Sequence, residues 1–174
     1  MRRAMVFQSP WGWMGISESR KGIDGIALPQ KSKQRAAAVL CEQAAEDLVI
    51  EDSPQLSHAH RQLLDYLAGT RQTFDVPLDL SRGTTFQRQV WRTLLRVPYG
   101  KLRSYQWVAV RVGGRQYARA VGNAVGANPL PIIVPCHRIV AQDATLGGFS
   151  GGLPTKRKLL TLEGTLAQLQ RGRT

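Results

Sequence analysis

Ser104-Tyr105-Gln106-Trp107-Val108-Ala109-Val110-Arg111-Val112-Gly113-Gly114-Arg115-Gln116-Tyr117-Ala118-Arg119-Ala120-Val121-Gly122-Asn123-Ala124-Val125-Gly126 reads as two helices joined by a glycine turn. Ser104 stands where an N-cap hydroxyl satisfies the first free amides of a helix over residues 105–112. Gly113-Gly114 makes the turn, and a second helix spans about residues 115–125, stopping before Gly126. This is the helix-turn-helix pattern. The second helix is an odd reader of base sequence, because major-groove readout wants Arg, Asn or Gln at several positions, whereas here one face is alanine and glycine. Small residues let a helix backbone approach phosphates or settle into a narrow minor groove, and Gly122 costs about 1 kcal/mol of helix propensity that something should offset. Arg119, a long side chain among small ones, either enters the base stack or makes an ordinary phosphate contact.

The charge map supports a polyanionic partner. Residues 1–80 carry nine basic and ten acidic side chains, a net of −1, whereas residues 81–174 carry fifteen basic side chains against only Asp143 and Glu163, a net of +13. A solubilising charge would not need such segregation; a nucleic-acid surface does. The turn-rich residues 75–83 lie where the balance changes, so two domains are expected, residues 1–80 and residues 81–174.

Downstream of the two helices, Asn128-Pro129-Leu130-Pro131 forms a stiff turn. It leads through Ile132, Ile133 and Val134 into Pro135-Cys136-His137-Arg138. Free cysteine usually behaves as a small buried hydrophobe, yet a structural cysteine needs neither the proline nor the two potential cations beside it. A thiol reacts as its thiolate, and neighbouring Arg or His⁺ lowers its pKa, so Cys136 is the candidate nucleophile. Adjacent residues on a strand point to opposite faces, so His137 acts on Cys136 only if the chain bends there or a water bridges them. Two short strands, residues 132–134 and 139–141, are expected to follow the helix pair as a wing. The loop Gly147-Gly148-Phe149-Ser150-Gly151-Gly152 lacks the lysine of a phosphate-binding loop and reads as the wall of a small pocket. A last helix runs from about Pro154 to Gly164.

The first half reads as a small antiparallel meander, with alternation over residues 5–7, 11–16 and 23–28. A helix over residues 33–48 follows, then a second one opened by Ser53-Pro54 and stopping at Gly69. Cys41, His58 and His60 read as packing or solvent positions. In the second half a helix from Thr84 carries Phe86, Val90, Trp91, Leu94 and Leu95 on its apolar face and ends before Pro98. Cys41 and Cys136 suggest neither a disulfide framework nor a metal site. No apolar run approaches membrane-spanning length and residues 1–8 lack a signal-peptide stretch, so a cytoplasmic protein is expected.

Taken in order, Phe86-Gln87 with Val90-Trp91, Pro98-Tyr99-Gly100 with Ser104-Tyr105, Ala118-Arg119-Ala120-Val121-Gly122, Asn128-Pro129, Pro135-Cys136-His137-Arg138, and Ser150-Gly151-Gly152 with Leu162-Glu163-Gly164 make the chain resemble one family. It is that of the methylated-DNA protein-cysteine methyltransferases, also called O6-alkylguanine-DNA alkyltransferases. The match covers most of residues 82–174; residues 1–80 fit the family's variable N-terminal domain in length and coarse pattern. The resemblance implies an α/β protein, with a small N-terminal α/β domain of ribonuclease H-like antiparallel sheet and a C-terminal winged helix-turn-helix domain. It further implies direct, irreversible transfer of an alkyl group from O6 of guanine, or less readily O4 of thymine, to Cys136.

In that resemblance Glu163 orients His137, which draws the thiol proton through a water. Tyr105 assists extrusion of the nucleotide and protonates the departing guanine, and Arg119 fills the gap left in the stack. Ser104, Tyr105, Ala118, Arg119 and Gly122 would meet DNA. Asn128, Pro131, Val134, Arg138, Gly147, Gly148, Phe149, Ser150 and Gly151 would build or brace the pocket, with Arg138 fixing the turn or meeting phosphate and Glu163 also open to pairing with Arg138. Phe149 stands where many relatives have tyrosine, which removes a hydroxyl from the pocket wall. The expected partner is double-stranded DNA containing alkylated bases, bound by a monomer, with cooperativity on DNA left open; no membrane, metal or cofactor is expected. Two other classes remain from the residues alone. A winged-helix regulator with Cys136 as sensor would prefer one operator, and a Cys-His hydrolase would have only His137 and Glu163 to serve its thiol.

Overall fold

The computed structural model describes residues 1–44, 46–143 and 145–171. It falls into two units, Met1–Arg82 and a second from Gly83 onward.

In the first unit, strands β1 (Arg2–Ser9), β2 (Gly12–Ser19) and β3 (Gly22–Gln30) form the antiparallel meander that the alternation predicts. Helix α1 spans Lys33–Gln43, capped by the Ser32 hydroxyl, and does not continue to Leu48 as expected. Instead Leu48–Ile50 forms β4, which lies parallel to β1 and gives the sheet order β3-β2-β1-β4. The β-branched pair Val49 and Ile50 favours the extended chain once an edge of β1 offers backbone partners. Helix α2 (Pro54–Leu67) starts at the Ser53 cap with Pro54 in its first turn, as expected.

Side chains alternate across the sheet. Ala4 and Ala27 pack with Ala36 and Leu40 of α1, and a Cβ on Gly15 would lie 2.6 Å from Leu40 Cδ1, so glycine there admits α1 to this face. Phe7, on the other face, meets the His60 ring of α2 at a 4.2 Å centroid distance. Asp24 is buried, ion-paired to Arg2 at 2.8 Å, and accepts the Ser17 hydroxyl at 2.7 Å. Cys41 is exposed, and His58 meets Asp75 at the surface, in line with the packing and solvent roles expected of them.

The second unit opens with α3 (Thr85–Leu94), whose Thr84 and Gln87 form a reciprocal capping box. Val90, Trp91 and Leu94 of its apolar face are buried, while Leu95 is exposed. Helix α4 (Tyr105–Val112) is capped by the Ser104 hydroxyl. Gly113 and Gly114 turn the chain at φ of 159° and 147°, values that a side chain disfavours. The next helix begins as a single 3-10 turn, Arg115–Tyr117, before α5 (Ala118–Gly126) becomes α-helical. Trp91 Nε1 donates to Ala124 O at 2.8 Å and so ties α3 to the end of α5.

The expected strand over residues 132–134 is a tight turn closed by Val134 N donating to Leu130 O at 2.8 Å. Pro129, Pro131 and Pro135 lack the amide donors a strand needs. Ile132 takes φ of 77° there, a left-handed value that costs a β-branched residue about 1–3 kcal/mol. The two-stranded element beside the helix pair is therefore not a hairpin. Strand β5 (Arg103–Ser104) pairs in parallel with β6 (Ile139–Val140). Helix α6 (Leu153–Leu162) follows the glycine loop, and a further short helix, α7 (Leu166–Arg171), was not expected. Val140, Leu160 and Leu169 form a core cluster here.

Candidate active site

Cys136, His137 and Arg138 form a 3-10 turn between Pro135 and β6, and all three are buried. The turn supplies the bend that the strand geometry requires if His137 is to serve its neighbour. Asn128 holds the preceding chain: its Nδ2 donates to Val134 O at 2.9 Å and its Oδ1 accepts from Leu130 N at 3.0 Å. An Asn128→Ala variant leaves the buried Leu130 N–H without its acceptor, worth about 1–3 kcal/mol, and reduces Val134 O to the single bond it accepts from Cys136 N. Urea denaturation should show a stability loss of about 1–3 kcal/mol.

Glu163, the residue that caps the C-terminus of α6, lies behind this turn. Its carboxylate accepts from His137 Nε2 at 2.7 Å and from Arg138 Nε and Nη2, each at 2.9 Å. Arg138 Nη1 donates to Val97 O at 2.6 Å, and its guanidinium lies 5.7 Å from the centre of the Tyr99 ring. Buried in this way, Arg138 fixes the turn and is not a phosphate contact. Burial raises the Glu163 carboxyl, but hydrogen bonds from His137 and Arg138 outweigh it and bring its pKa to about 2. Burial lowers the His137 pKa despite Glu163, so the ring is neutral at pH 7. A neutral imidazole that donates through Nε2 carries its lone pair on Nδ1.

The cysteine departs from the expectation that adjacent cations lower its pKa. Burial pushes the thiol up, opposed by a hydrogen bond from Asn128 and by the charge of Lys156. Arg138 gives its charge to Glu163, and His137 is uncharged. The resting thiol is therefore protonated and needs a base.

Cys136 sits in a pocket of about 460 Å³ lined by Tyr105 of α4, by Ala118, Arg119, Gly122, Val125 and Gly126 of α5, and by Gly148, Phe149 and Ser150 of the glycine loop. Tyr105 Oη donates to Gly148 O at 3.4 Å, and burial raises its pKa, so the hydroxyl keeps its proton. Gly147 backs this ring at φ of 68°, where a Cβ would lie 2.9 Å from the hydroxyl. Arg119 is exposed at the mouth. A Cβ on Gly122 would meet nothing within 4 Å, so nothing inside the protein requires glycine there.

The other expected site residues lie outside the pocket lining. Ser104 caps α4, Pro131 and Val134 belong to the buried turn, His137, Arg138 and Glu163 form the layer behind the thiol, and Gly151 is exposed. Val125 and Gly126 line the pocket but were not singled out from the sequence. Nor was Lys156, although it shares one stripe of α6 with Leu159, Leu160 and Glu163, the spacing of a buried face. On α4, Trp107 has Arg111 at 3.6 Å and Arg103 at 5.3 Å from its ring centre, which gathers cations beside the helix pair.

A helix-turn-helix with a small-residue second helix at the mouth of a pocket, and a cysteine backed by a His-Glu pair at its base, defines a thiol-dependent protein that acts on a large anionic partner. Residues 85–165 match the family model of the 6-O-methylguanine DNA methyltransferase, DNA binding domain. The constitutive methylated-DNA protein-cysteine methyltransferase of Bacillus subtilis (strain 168) is 38% identical over 157 residues, covering 90% of this chain and 92% of the relative. The Mycobacterium tuberculosis (strain H37Rv) protein of that name is 51% identical over 112 residues, 64% of this chain and 67% of the relative. The crystal structure of Mycobacterium tuberculosis OGT in complex with DNA superposes with a TM-score of 0.79 at 37% identity, covering 92% of each chain. The chain belongs to the methylated-DNA protein-cysteine methyltransferase family.

Proposed function

We propose that this protein repairs DNA by direct transfer of an alkyl group from O6 of guanine, and less readily from O4 of thymine, to Cys136 Sγ. The observation that carries this reading is the buried cysteine lining a pocket walled by α5, with the hydrogen-bonded His137 and Glu163 pair in the layer behind it. Residues 83–171 act as the DNA-binding and transfer domain, and residues 1–82 as its support. The wider second-domain range read from the sequence includes residues 172–174, which lie outside the described residues.

The helix pair meets duplex DNA on its minor-groove side. The bare face at Ala118 and Gly122 lets the α5 backbone approach closely, and Ser104 and Tyr105 meet the strand at the start of α4. A thiol cannot reach a substituent on a stacked base, so the damaged nucleotide swings into the pocket while Arg119 takes its place in the stack. Gly148, Phe149 and Ser150 wall the base, with Gly147 and Gly151 shaping the loop; Pro131, Val134, Asn128 and Arg138 hold the turn that carries the thiol. Phe149 offers a ring face without a hydroxyl.

The Cys136 proton passes through a water to His137 Nδ1, and Glu163 stabilises the imidazolium that forms. The thiolate attacks the alkyl carbon, the C–O6 bond breaks with its electrons going to guanine, and Tyr105 supplies a proton to the departing base. The thioether has no route back, so each molecule acts once. No helix among the described residues is long and apolar enough to cross a membrane. We assign the protein to the cytoplasm, acting as a monomer, where reducing conditions keep Cys136 a thiol.

Incubation with a duplex containing O6-methylguanine should add one methyl mass to the peptide that holds Cys136, in a one-to-one ratio with lesions lost. An unmodified Cys136 beside an intact lesion would sink the reading.

A further inference from the structure

Lys156 is buried beside the site and has no task in the steps above. It is 0% exposed, a rare state for a lysine that lacks a partner of opposite charge. Its Nζ donates to Ile139 O at 2.7 Å, to Gly148 O at 3.2 Å and to Leu146 O. Ile139 directly follows the Cys136 turn, while Leu146 and Gly148 belong to the glycine loop. The ammonium therefore bridges the chain that carries the nucleophile and the loop that walls its pocket. Gly148 O also accepts from Tyr105.

These three partners are neutral carbonyls, and the buried charges around the site do not balance without a further anion. Glu163 is matched by Arg138. His137 is held neutral. Asp143 is exposed and bonded to Thr145. Tyr105 keeps its proton, and Asn128 has no charge. Among the described residues no carboxylate pairs with Lys156, and the Cys136 thiol, which lines the same pocket as Gly148, is the group there most readily ionised to an anion.

We propose that Lys156 is the counter-ion of the Cys136 thiolate, a positioning residue whose ammonium, fixed by the carbonyls of Ile139, Leu146 and Gly148, lowers the cost of ionising a thiol that the fold buries. The inference rests on Cys136 being the nucleophile of the proposed function. In the step it assists, the S–H bond breaks, the electron pair stays on sulfur and the proton goes to His137. Each group acts on the other: Lys156 lowers the Cys136 pKa against burial, and Cys136 raises that of Lys156, which burial brings down to about 8. Transfer removes the anion, because a thioether is neutral. Lys156 then loses its counter-charge, and its own pKa must fall.

The test uses the full chain with Cys41→Ser, so that Cys136 is the sole thiol; Cys41 is exposed in the first unit. Ultraviolet absorbance of the thiolate, followed against pH without DNA, should show Lys156→Met raising the Cys136 pKa by about one unit, equivalent to about tenfold less thiolate at neutral pH. Transfer from an O6-methylguanine duplex should slow by the same factor at pH 7 and recover as the pH rises. Lys156→Arg, which keeps the charge, should retain the lower thiol pKa. Equal slowing at every pH with an unmoved thiol pKa would reduce Lys156 to a loop tether and overturn the proposal.

If Lys156→Met does not fold, the native residue can be titrated by carbon NMR of labelled lysine before and after Cys136 is methylated with methyl iodide. A drop in the Lys156 pKa on methylation supports the pairing, and an unchanged value overturns it. Because the thiol and lysine titrations need no lesion, failure of the native protein to repair DNA would count against the alkyl-transfer reading alone.

Discussion

Cys136→Ala should abolish alkyl transfer and leave duplex binding and its salt dependence unchanged. The substitution removes one sulfur atom from a residue that is 3% exposed, while Arg119, Ser104 and the α5 face, the proposed DNA contacts, are untouched. Affinity for duplex DNA is set largely by phosphate contacts, and their number sets the slope of binding against salt. Two measurements on one preparation check this: lesion content of the oligonucleotide after incubation, and binding of the same duplex across a salt series. Residual transfer would move the nucleophile elsewhere, with exposed Cys41 the obvious candidate. A collapse of binding together with transfer would show that the variant had lost its fold.

Glu163→Gln produces the second large effect, on stability and on chemistry together. The native carboxylate neutralises Arg138 and orients His137 through bonds of 2.7 to 2.9 Å. A glutamine of the same shape leaves a buried guanidinium without its counter-charge, and breaking a buried ion pair from one side costs about 3–5 kcal/mol. It also withdraws the anion that stabilises an imidazolium at His137, so transfer should fall about 10²- to 10⁴-fold, the usual worth of a positioned base. Chemical denaturation and single-turnover transfer at pH 7 check the two halves.

The pH dependence has a definite sign. The Glu163 pKa is depressed from 4.5 to about 2 in the folded protein. Its contribution to stability is therefore complete above pH 4.5 and declines as the pH falls toward 2. The glutamine variant should lack this limb of acid unfolding. An unchanged denaturation midpoint with an unchanged acid limb would mean that Glu163 does not carry the Arg138 charge.

What could be read from the chain follows the range of the interactions involved. Helix caps act over three residues, so Ser53, Thr84 and Ser104 announce α2, α3 and α4 without any tertiary information, and each hydroxyl accepts the expected amide. The alternation of β1 to β3 is also local. Strand β4 was missed because three residues carry no period, and what makes Leu48–Ile50 a strand is the free edge of β1. Residues 132–134 look like a strand by composition. The prolines around them and the left-handed Ile132 make a turn, held by Asn128 through bonds to Leu130 and Val134.

The candidate site divides in the same way. The sequence alone determined the candidate nucleophile, the helix pair, the segregation of positive charge and the family, because these depend on which residue types follow one another. The tertiary structure decided the electrostatics. Arg138 stands next to Cys136 in the chain, yet it gives its charge to Glu163, while Lys156, twenty positions away, acts on the thiol. Burial then reverses the expected direction of the Cys136 pKa. Charge effects depend on distance through space and on how much water is excluded, and neither quantity is written in the order of residues.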